Sequence, residues 1–494
     1  MSGTAKSAAA QAAETQTTGV SLLDAIVAEG RFGREASQQE RGKDMVKQFV
    51  SQVLEGKMTL SRDAESTISA YLAHIDRLIS TQLNEVLHHP SFQKLEATWR
   101  GVKYLLSQSE TNATLKIKLF NASKKDVLKD VQRASEFDQS QLFKKVYEEE
   151  YGTFGGAPFA AMVGDYEFGR GPEDMELLEK IAQVASAAHA PFLSAAAPEL
   201  LNLTDFTQMS GVRDMSKVFD NTEYAKWKSF RESDDSRYVA LTLPHILMRE
   251  PYGQDSRQVE AFAYEEAVDG TDHSKYLWGN AAYALAARLT DSFAKYGWCA
   301  AIRGVESGGL VEGLPVHNFR TDEGDIALKC PTELSITNRR EKELADQGFI
   351  ALEHCKGTDK AAFISGQTVN KPKVYDKPEA NANSKLSAQL PYILAMSRFA
   401  HYLKAIMHDK IGGAMSRTQA EDFLNQWVAN YVIEDDNAGQ AAKAEKPLRQ
   451  ARIEVMEVPG NAGKLRAVAF LRPHFMLDEL TVSLRLVADL PTTK

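Results

Sequence analysis

The sequence predicts a mixed α/β (α+β) protein in three parts: a helical N-terminal part, an α/β middle, and a C-terminal domain ending in a β-hairpin plus a third strand. Three observations predict it. Apolar residues recur at helical spacing between 41 and 106. Strand-like and helix-like runs alternate from about 110 to 370. Period-two alternation then fills three consecutive segments near the end. The corresponding domains are 1–60, 61–370 and 371–494.

Residues 1–40 read as a flexible arm, and Met1 to Gly19 has no apolar stretch of the secretory kind. Val20 to Ala28 (VSLLDAIVA) is an apolar island between polar flanks. It suits a helix turn packed on its own domain or a strand donated to a neighbour. Met45, Val46, Phe49, Val50, Val53 and Leu54 share a face over 41–56. Ile68, Leu72, Ile75, Ile79, Leu83 and Leu87 stripe a longer helix that Pro90 interrupts, and Phe92, Leu95, Trp99, Val102 and Leu106 continue the spacing. The 114–119 run (TLKIKL) alternates as a strand.

A strand at 158–163, a helix opened by Pro172-Glu173-Asp174 and an apolar run at 191–197 make a strand–helix–strand unit. The charge-free stretch Ile181 to Pro198 is thereby a helix end and a strand, not a membrane span. A second unit covers 237–243, 277–296 and 298–303, with further strands at 349–355 and 361–366. Residues 367–388 read as a surface loop. Helices follow over 393–406, stopped by Gly412-Gly413, and over 417–433. Arg449 to Val458, Lys464 to Arg472 and Leu480 to Asp489 alternate strictly, the first two joined by the turn at 459–463. A three-stranded terminal sheet has two edges, and open edges invite pairing with another chain.

Chemistry is hard to find. A net charge of −9 without a lysine-rich block argues against nucleic-acid binding. The three cysteines, Cys299, Cys330 and Cys355, are widely spaced and read as reduced thiols. Gly164 to Gly171 resembles a phosphate loop between strand and helix, but Arg170 and Gly171 stand where Lys and Ser/Thr belong, and Asp165 and Glu167 would repel phosphate. His354-Cys355 and His88-His89 are the only tight ligand clusters; the first pair, on a strand, points to opposite faces, and the sequence has no HExxH and no CxxC. Asp234-Asp235 and Asp435-Asp436 suit solvated turns, and no GxSxG is present. Trp227, Trp278, Trp298 and Trp427 read as core. No catalytic residue, cofactor or metal is assigned. On architecture alone, an α/β enzyme and a non-contractile scaffold both stay open.

Longer blocks are more specific. They are His89-Pro-Ser-Phe-Gln-Lys-Leu-Glu-Ala-Thr-Trp-Arg-Gly-Val-Lys-Tyr-Leu, Gly155-Gly-Ala-Pro-Phe, Gly164-Asp-Tyr-Glu-Phe and Met248-Arg-Glu-Pro-Tyr-Gly. Trp298-Cys-Ala-Ala-Ile-Arg-Gly-Val-Glu-Ser-Gly-Gly, Gly313-Leu-Pro-Val-His, Asn338-Arg-Arg-Glu-Lys-Glu-Leu and Gly348-Phe-Ile follow. The series ends with Leu386-Ser-Ala-Gln-Leu-Pro-Tyr-Ile and Ser397-Arg-Phe-Ala-His-Tyr-Leu-Lys. In this order they resemble the large subunit of the contractile sheath of the bacterial type VI secretion system, over nearly the whole chain beyond the arm. The resemblance implies a non-enzymatic, cytoplasmic component without cofactor or membrane insertion. It implies pairing with a small sheath subunit and stacking with further copies into a helical tube around an inner tube of hexameric rings. That tube would stand on a baseplate anchored at the envelope. Contraction would drive tube and spike into a target cell, and an AAA+ unfoldase would recycle the sheath through the small subunit. The alternative is the sheath of a related phage-tail-like particle, which normally uses a single sheath protein.

Within that frame, Val20, Leu22, Leu23, Ile26 and Val27 are the expected donated arm. Ile453, Val455, Val468, Phe470, Val482, Leu484 and Leu486 are the expected acceptor strands, because strand addition joins chains through main-chain hydrogen bonds. Glu421 and Asp422, on the polar side of the 417–433 helix, are the expected contacts to the inner tube, where exposed charge pairs hold weakly and release easily.

Overall fold

The central sheet owes its place to strands that are almost wholly apolar: residues 192–196 and 239–243, polar only at Ser194 and Thr242, are buried at every position, as parallel strands covered on both faces must be. The computed structural model describes residues 36–54, 64–253, 256–260, 262–270, 272–321, 323–410, 416–435, 437–457, 465–474 and 484–489. Val20, Leu22, Leu23, Ile26, Val27 and Val482 lie outside them. The chain divides into two units, residues 1–82 with 260–264, and residues 83–259 with 265–494.

Helix α1 (Ala36–Leu54) and helix α2 (Ala64–Leu87) follow the two amphipathic runs. Among the described side chains of these two runs, Met45, Val50, Ile68, Leu72 and Ile79 are exposed and Leu87 is buried. Helix α3 (Pro90–Ser107) opens with Pro at its first position and His89 as N-cap, whose Nδ1 accepts the Ser91 N–H. Helix α4 (Lys124–Arg133) begins in a reciprocal Ser123–Asp126 capping box. Between them, 114–119 is not the expected strand. Leu115 and Ile117 are half-buried, but among the described residues no neighbouring strand takes up the backbone, and Leu119 and Phe120 face solvent.

Strand β1 (Met162–Phe168), helix α5 (Pro172–Ala188) and strand β2 (Phe192–Ala196) form the first unit, with β1 and β2 parallel. Strand β1 starts later than expected and takes in Gly164 to Phe168, so most of the phosphate-loop look-alike is strand. Helix α6 (Ala225–Glu232) leads to β3 (Val239–Leu243), and β4 (Ile246–Leu247) pairs with β5 (Trp278–Gly279). Helix α7 (Ala282–Tyr296) packs across the sheet and against α3, where there is no room for a side chain at Gly101: a Cβ there would sit 2.3 Å from the Tyr283 ring.

Residues 298–303 are irregular, not the expected strand. The Ser292 hydroxyl of α7 donates to Trp298 O (2.8 Å) and accepts from Ala301 N–H (3.2 Å), taking up backbone groups that a ladder would need. After β6 (Leu310–Val311), the hairpin β7 (His317–Arg320) and β8 (Ile326–Lys329), and helix α8 (Asn338–Asp346), the second unit closes on β9 (Phe349–His354), parallel to β3. Strand β10 (Ala361–Phe363) and β6 complete the order β1-β2-β3-β9-β10-β6 by antiparallel pairing.

The start of the expected surface loop is core. Thr368, Val369 and Asn370 are buried. Val369 N–H donates to Val239 O, and the Asn370 amide donates to Arg231 O, Ser233 O and Ser236 Oγ. Helix α9 (Pro378–Ser387), again Pro-initiated, fills the second half. Helices α10 (Leu390–Asp409), α11 (Arg417–Ala429) and α12 (Gln440–Glu445) precede β11 (Leu448–Glu457), β12 (Leu465–Pro473) and β13 (Leu484–Asp489), an antiparallel sheet in that order. Among the described residues no helix is long and apolar enough to cross a membrane.

Candidate functional site

Strict alternation gives the terminal sheet two different faces. Ala451 pairs with Leu471, Ile453 with Ala469 and Val455 with Ala467. Ala469 and Leu471 continue to Leu486 and Leu484. Ile453, Val455, Ala467, Ala469 and Leu471 are buried with Leu424 and Val428 of α11 and Phe399 and Leu403 of α10. On the reverse face Arg452 pairs with Glu454 at 2.7 Å, Arg472 donates to Gln450, and Phe470 is half-buried. Val468, also on that face, is 1% exposed.

The two edges of this sheet differ. Along β11, Ile453 N–H donates to Asn425 Oδ1 (2.9 Å), and Asn425 Nδ2 donates back to Ile453 O (2.8 Å). Val455 N–H donates to Glu421 Oε2 (3.0 Å). Asn425 thus offers one donor and one acceptor, as a paired strand residue would. Two residues of strand advance about 6.8 Å and four residues of helix about 6 Å, so Glu421 and Asn425 meet Val455 and Ile453 in register. At the start of β11, Leu448 N–H donates to Tyr431 O and Leu448 O accepts from Ile433 N–H. Between these two covers lies a shallow depression of ≈ 470 Å³ lined by Val432, Gln450, Ala451, Phe470 and Arg472. Strand β13 forms the other edge, and among the described residues no strand pairs with its outer side.

Glu421 and Asp422 therefore have different settings. Glu421 is half-buried against β11, whereas Asp422 is exposed. Asn425 was missed in the sequence. Its only signal is a polar residue four positions from Glu421, beside the apolar Leu424 and Val428.

The sequence blocks quoted above meet one another. Trp298 stacks on Phe399 (4.3 Å between centroids), with Trp427 and Tyr431 edge-on to Phe399. Arg303 donates to Gln389. Arg249 is fully engaged: Nη1 and Nη2 donate to Glu266 (2.5 and 2.9 Å) and Nε donates to Glu96 (2.9 Å), which also accepts from Arg100. His88 lies 3.0 Å from the same Glu266 carboxylate. Burial opposes the Glu266 charge, but Arg249 outweighs it and holds the carboxyl below its ordinary range.

His401 bridges α10 and α5. Arg398 Nη1 donates to its Nδ1 (3.1 Å), so the ring proton sits on Nε2, which donates to Ala188 O (2.8 Å). Burial holds this imidazole neutral, its pKa lowered to about 3. Nearby His189, hydrogen-bonded to the Tyr238 hydroxyl, is lowered to about 4.

The carboxyl ends of parallel strands, where open α/β sheets bind ligands, are filled by the chain itself. His245, just after β3, contacts Glu333 through Nδ1 and Glu167, at the end of β1, through Nε2 (3.1 Å). His273 reaches Glu333 from the far side (3.1 Å). Burial alone would neutralise His245, but the two carboxylates win and push it up to about 10. Glu333 is lowered to about 2, its burial outweighed by both histidines. In the former loop, Gly169 N–H donates to the Asp174 carboxylate at 2.6 Å, so an internal anion fills that turn. Among the described residues no group of three or more His, Cys, Asp or Glu is arranged to hold a metal. Cys299 is buried with its thiol pushed up to about 11, and Cys330 and Cys355 are free thiols.

Replacing Asn425 with alanine is expected to leave both Ile453 backbone groups without their partner, costing about 1–3 kcal/mol. Urea denaturation measures the loss, and faster amide exchange at Ile453 locates it. A second expectation concerns pH. His245 is charged in the fold up to about 10 against an ordinary 6.5, so its contribution is full below pH 6.5 and is lost as pH rises to 10. His189 and His401 stay neutral down to about 4 and 3, so the unfolded chain takes up their protons first and stability falls below pH 6.5. Glu333 adds a further loss between 4.5 and about 2. Stability should peak near pH 6.5, and His245→Gln should flatten the decline between 6.5 and 10, as read from urea midpoints.

Comparison with known proteins places this arrangement. The family model described as EvpB/VC_A0108, tail sheath N-terminal domain, matches residues 69–370, and the tail sheath gpW/gp25-like domain of the same family matches 379–490. The type VI secretion system sheath protein TssC1 of Pseudomonas aeruginosa PAO1 is 48% identical over 459 residues, covering 92% of each chain. A chain of the anti-feeding prophage (AFP) baseplate superposes on 65% of each chain at 9% identity with a TM-score of 0.32, too slight a likeness to bear on the fold. On the two family matches and the extent of that identity, the chain belongs to the EvpB/VC_A0108 tail-sheath family and is a structural, sheath-forming component of a type VI-like contractile apparatus.

Proposed function

We propose that the chain pairs with a small sheath subunit and that the heterodimers polymerise into a helical tube around an inner tube of rings, stand on a baseplate, and contract to drive tube and spike outward. An AAA+ unfoldase would act afterwards through the small subunit. The observation that carries this reading is the asymmetry of the terminal sheet, one edge closed by Asn425 and Glu421, the other without a strand partner among the described residues. An edge left unpaired in a soluble chain is an aggregation hazard unless another strand is meant to fill it. The acceptor is 449–489, with Leu484 and Leu486 on its open strand and Val468 and Phe470 on the strand beside it. Ile453 and Val455 hold the sheet to its helices. The donor is the arm containing Val20, Leu22, Leu23, Ile26 and Val27. Flexible arms joined by main-chain hydrogen bonds let rigid bodies rotate while the joints persist. Contraction needs no nucleotide in this chain: the energy is stored at assembly in an extended lattice that buries less interface than the contracted one.

Deleting residues 15–30 is expected to leave heterodimers intact and to abolish or lock the sheath. Electron microscopy of the co-expressed pair reads the outcome, and tubes that still contract would remove the arm from the mechanism. Co-purification with a small partner separates this reading from a single-protein phage-tail-like sheath. For the inner tube, Asp422→Lys is the clean variant, because charge reversal at Glu421 would also uncap β11. Loading of the inner tube should weaken with subunit pairing unchanged, and unaltered loading would exclude Asp422 from the contact.

A further inference from the structure

Helix α3 buries one face and leaves the opposite face apolar. Ala97, Gly101 and Leu105 are buried, and Gly101 lies against Tyr283 of α7. Phe92, Leu95, Trp99 and Leu106 stand on the other side, 36%, 56%, 61% and 45% exposed. The spacing i, i+3, i+7, i+14 keeps them in one stripe, about 21 Å long at 1.5 Å per residue. Trp227 and Trp298, by contrast, are buried, at 2% and 4%, and among the described residues the other exposed aromatics, Phe120, Phe154 and Tyr375, lie on other segments of the chain. Scattered exposed apolar residues need no explanation, but four large ones in line make a contiguous patch of the kind that marks an interaction site.

The charges on α3 define what fits. Glu96 and Arg100 are engaged with each other, and Glu96 also with Arg249. Lys94 lies near Asp165. Lys103 is exposed, one turn from Trp99 and on the stripe itself, and among the described residues no carboxylate pairs with it. A second copy meeting this face about a two-fold axis at Trp99 would set each Lys103 against Leu95 of its mate. Two ammonium groups would then be buried without counter-charge, which opposes that pairing. A helix with apolar residues at i, i+3/i+4 and i+7 and a carboxylate opposite Lys103 has no such cost.

We propose that the outer face of α3 is a docking surface for an amphipathic, acid-bearing helix of the small sheath subunit. This rests on the heterodimer reading above and gives it an address on this chain. Trp99 is the central anchor, as large aromatics usually are at interfaces. Lys103 fixes register by pairing with the incoming carboxylate.

The test co-expresses the full chain with the small sheath subunit and measures affinity by titration of the purified chains. The Leu95→Ser/Trp99→Ser double variant changes only exposed side chains and should keep the wild-type melting temperature. It should lose at least about 30-fold in affinity. Lys103→Glu should lose less, and hydrogen exchange across residues 92–106 should slow in the wild-type complex. Wild-type binding with the double variant unaffected would overturn the assignment of α3 and leave the heterodimer standing. No wild-type binding at all would overturn the heterodimer reading itself. Dimers of the chain alone in sedimentation, lost in the double variant, would make the occupant a second copy and overturn the proposal.

Discussion

An edge strand must find partners for its outward N–H and C=O groups, and the C-terminal part of this chain is arranged around how β11 does so. Asn425 bonds both groups of Ile453, and Glu421 takes the next outward amide. The same helix inserts Leu424 and Val428 into the sheet's apolar face. Helix α11 is thereby held from two directions, by polar bonds at the rim and by burial beneath it. It in turn presents Trp427 to Phe399 of α10, whose other side stacks on Trp298 from the first matched region. A single polar pairing at the sheet's rim thus orients the contact between the two regions that the family models recognise.

Other joints of the fold are held by groups whose charge state is set by position. His401 is neutral because it is buried, with Arg398 donating to its Nδ1, and His245 is charged because two carboxylates face it. Each arrangement leaves its buried atoms little freedom to re-pair, since the alternative is an unmatched charge or an unbonded nitrogen. Arg249 does the same for the α3 end of the molecule by tying Glu96 to Glu266. The joints inside the second unit are well determined, as befits a body expected to move as a whole.

Much of this was legible in the sequence where local rules and tertiary needs agree. Period two placed β11 and β12 almost to the residue, and Pro172 with two acids placed the start of α5. The failures share a cause. TLKIKL alternates like a strand, but alternation states only which side chains seek burial, not whether a neighbouring strand exists. Residues 298–303 are apolar enough for a strand, yet Ser292 takes up their backbone groups first. Thr368, Val369 and Asn370 looked like loop because their burial depends on Val239 and Arg231, more than a hundred residues earlier. The stripe of α3 was visible as periodicity, but spacing cannot tell an inward stripe from an outward one. The pairing of Asn425 with Ile453 has no local signature, because it joins two elements across a turn of chain.

The one-sided closure of the terminal sheet also has a geometric meaning beyond stability. A sheet open at both edges can grow in either direction, and identical copies can meet through the same edge in closed pairs. With β11 sealed along Ile453 and Val455, a strand can be added only beside β13, and where the proposed N-terminal arm supplies it, donor and acceptor are different surfaces of the monomer. Repeating such a head-to-tail contact generates a ring or an open helix, according to the rotation at each step. An array joined in that way inherits its direction from one asparagine and one glutamate.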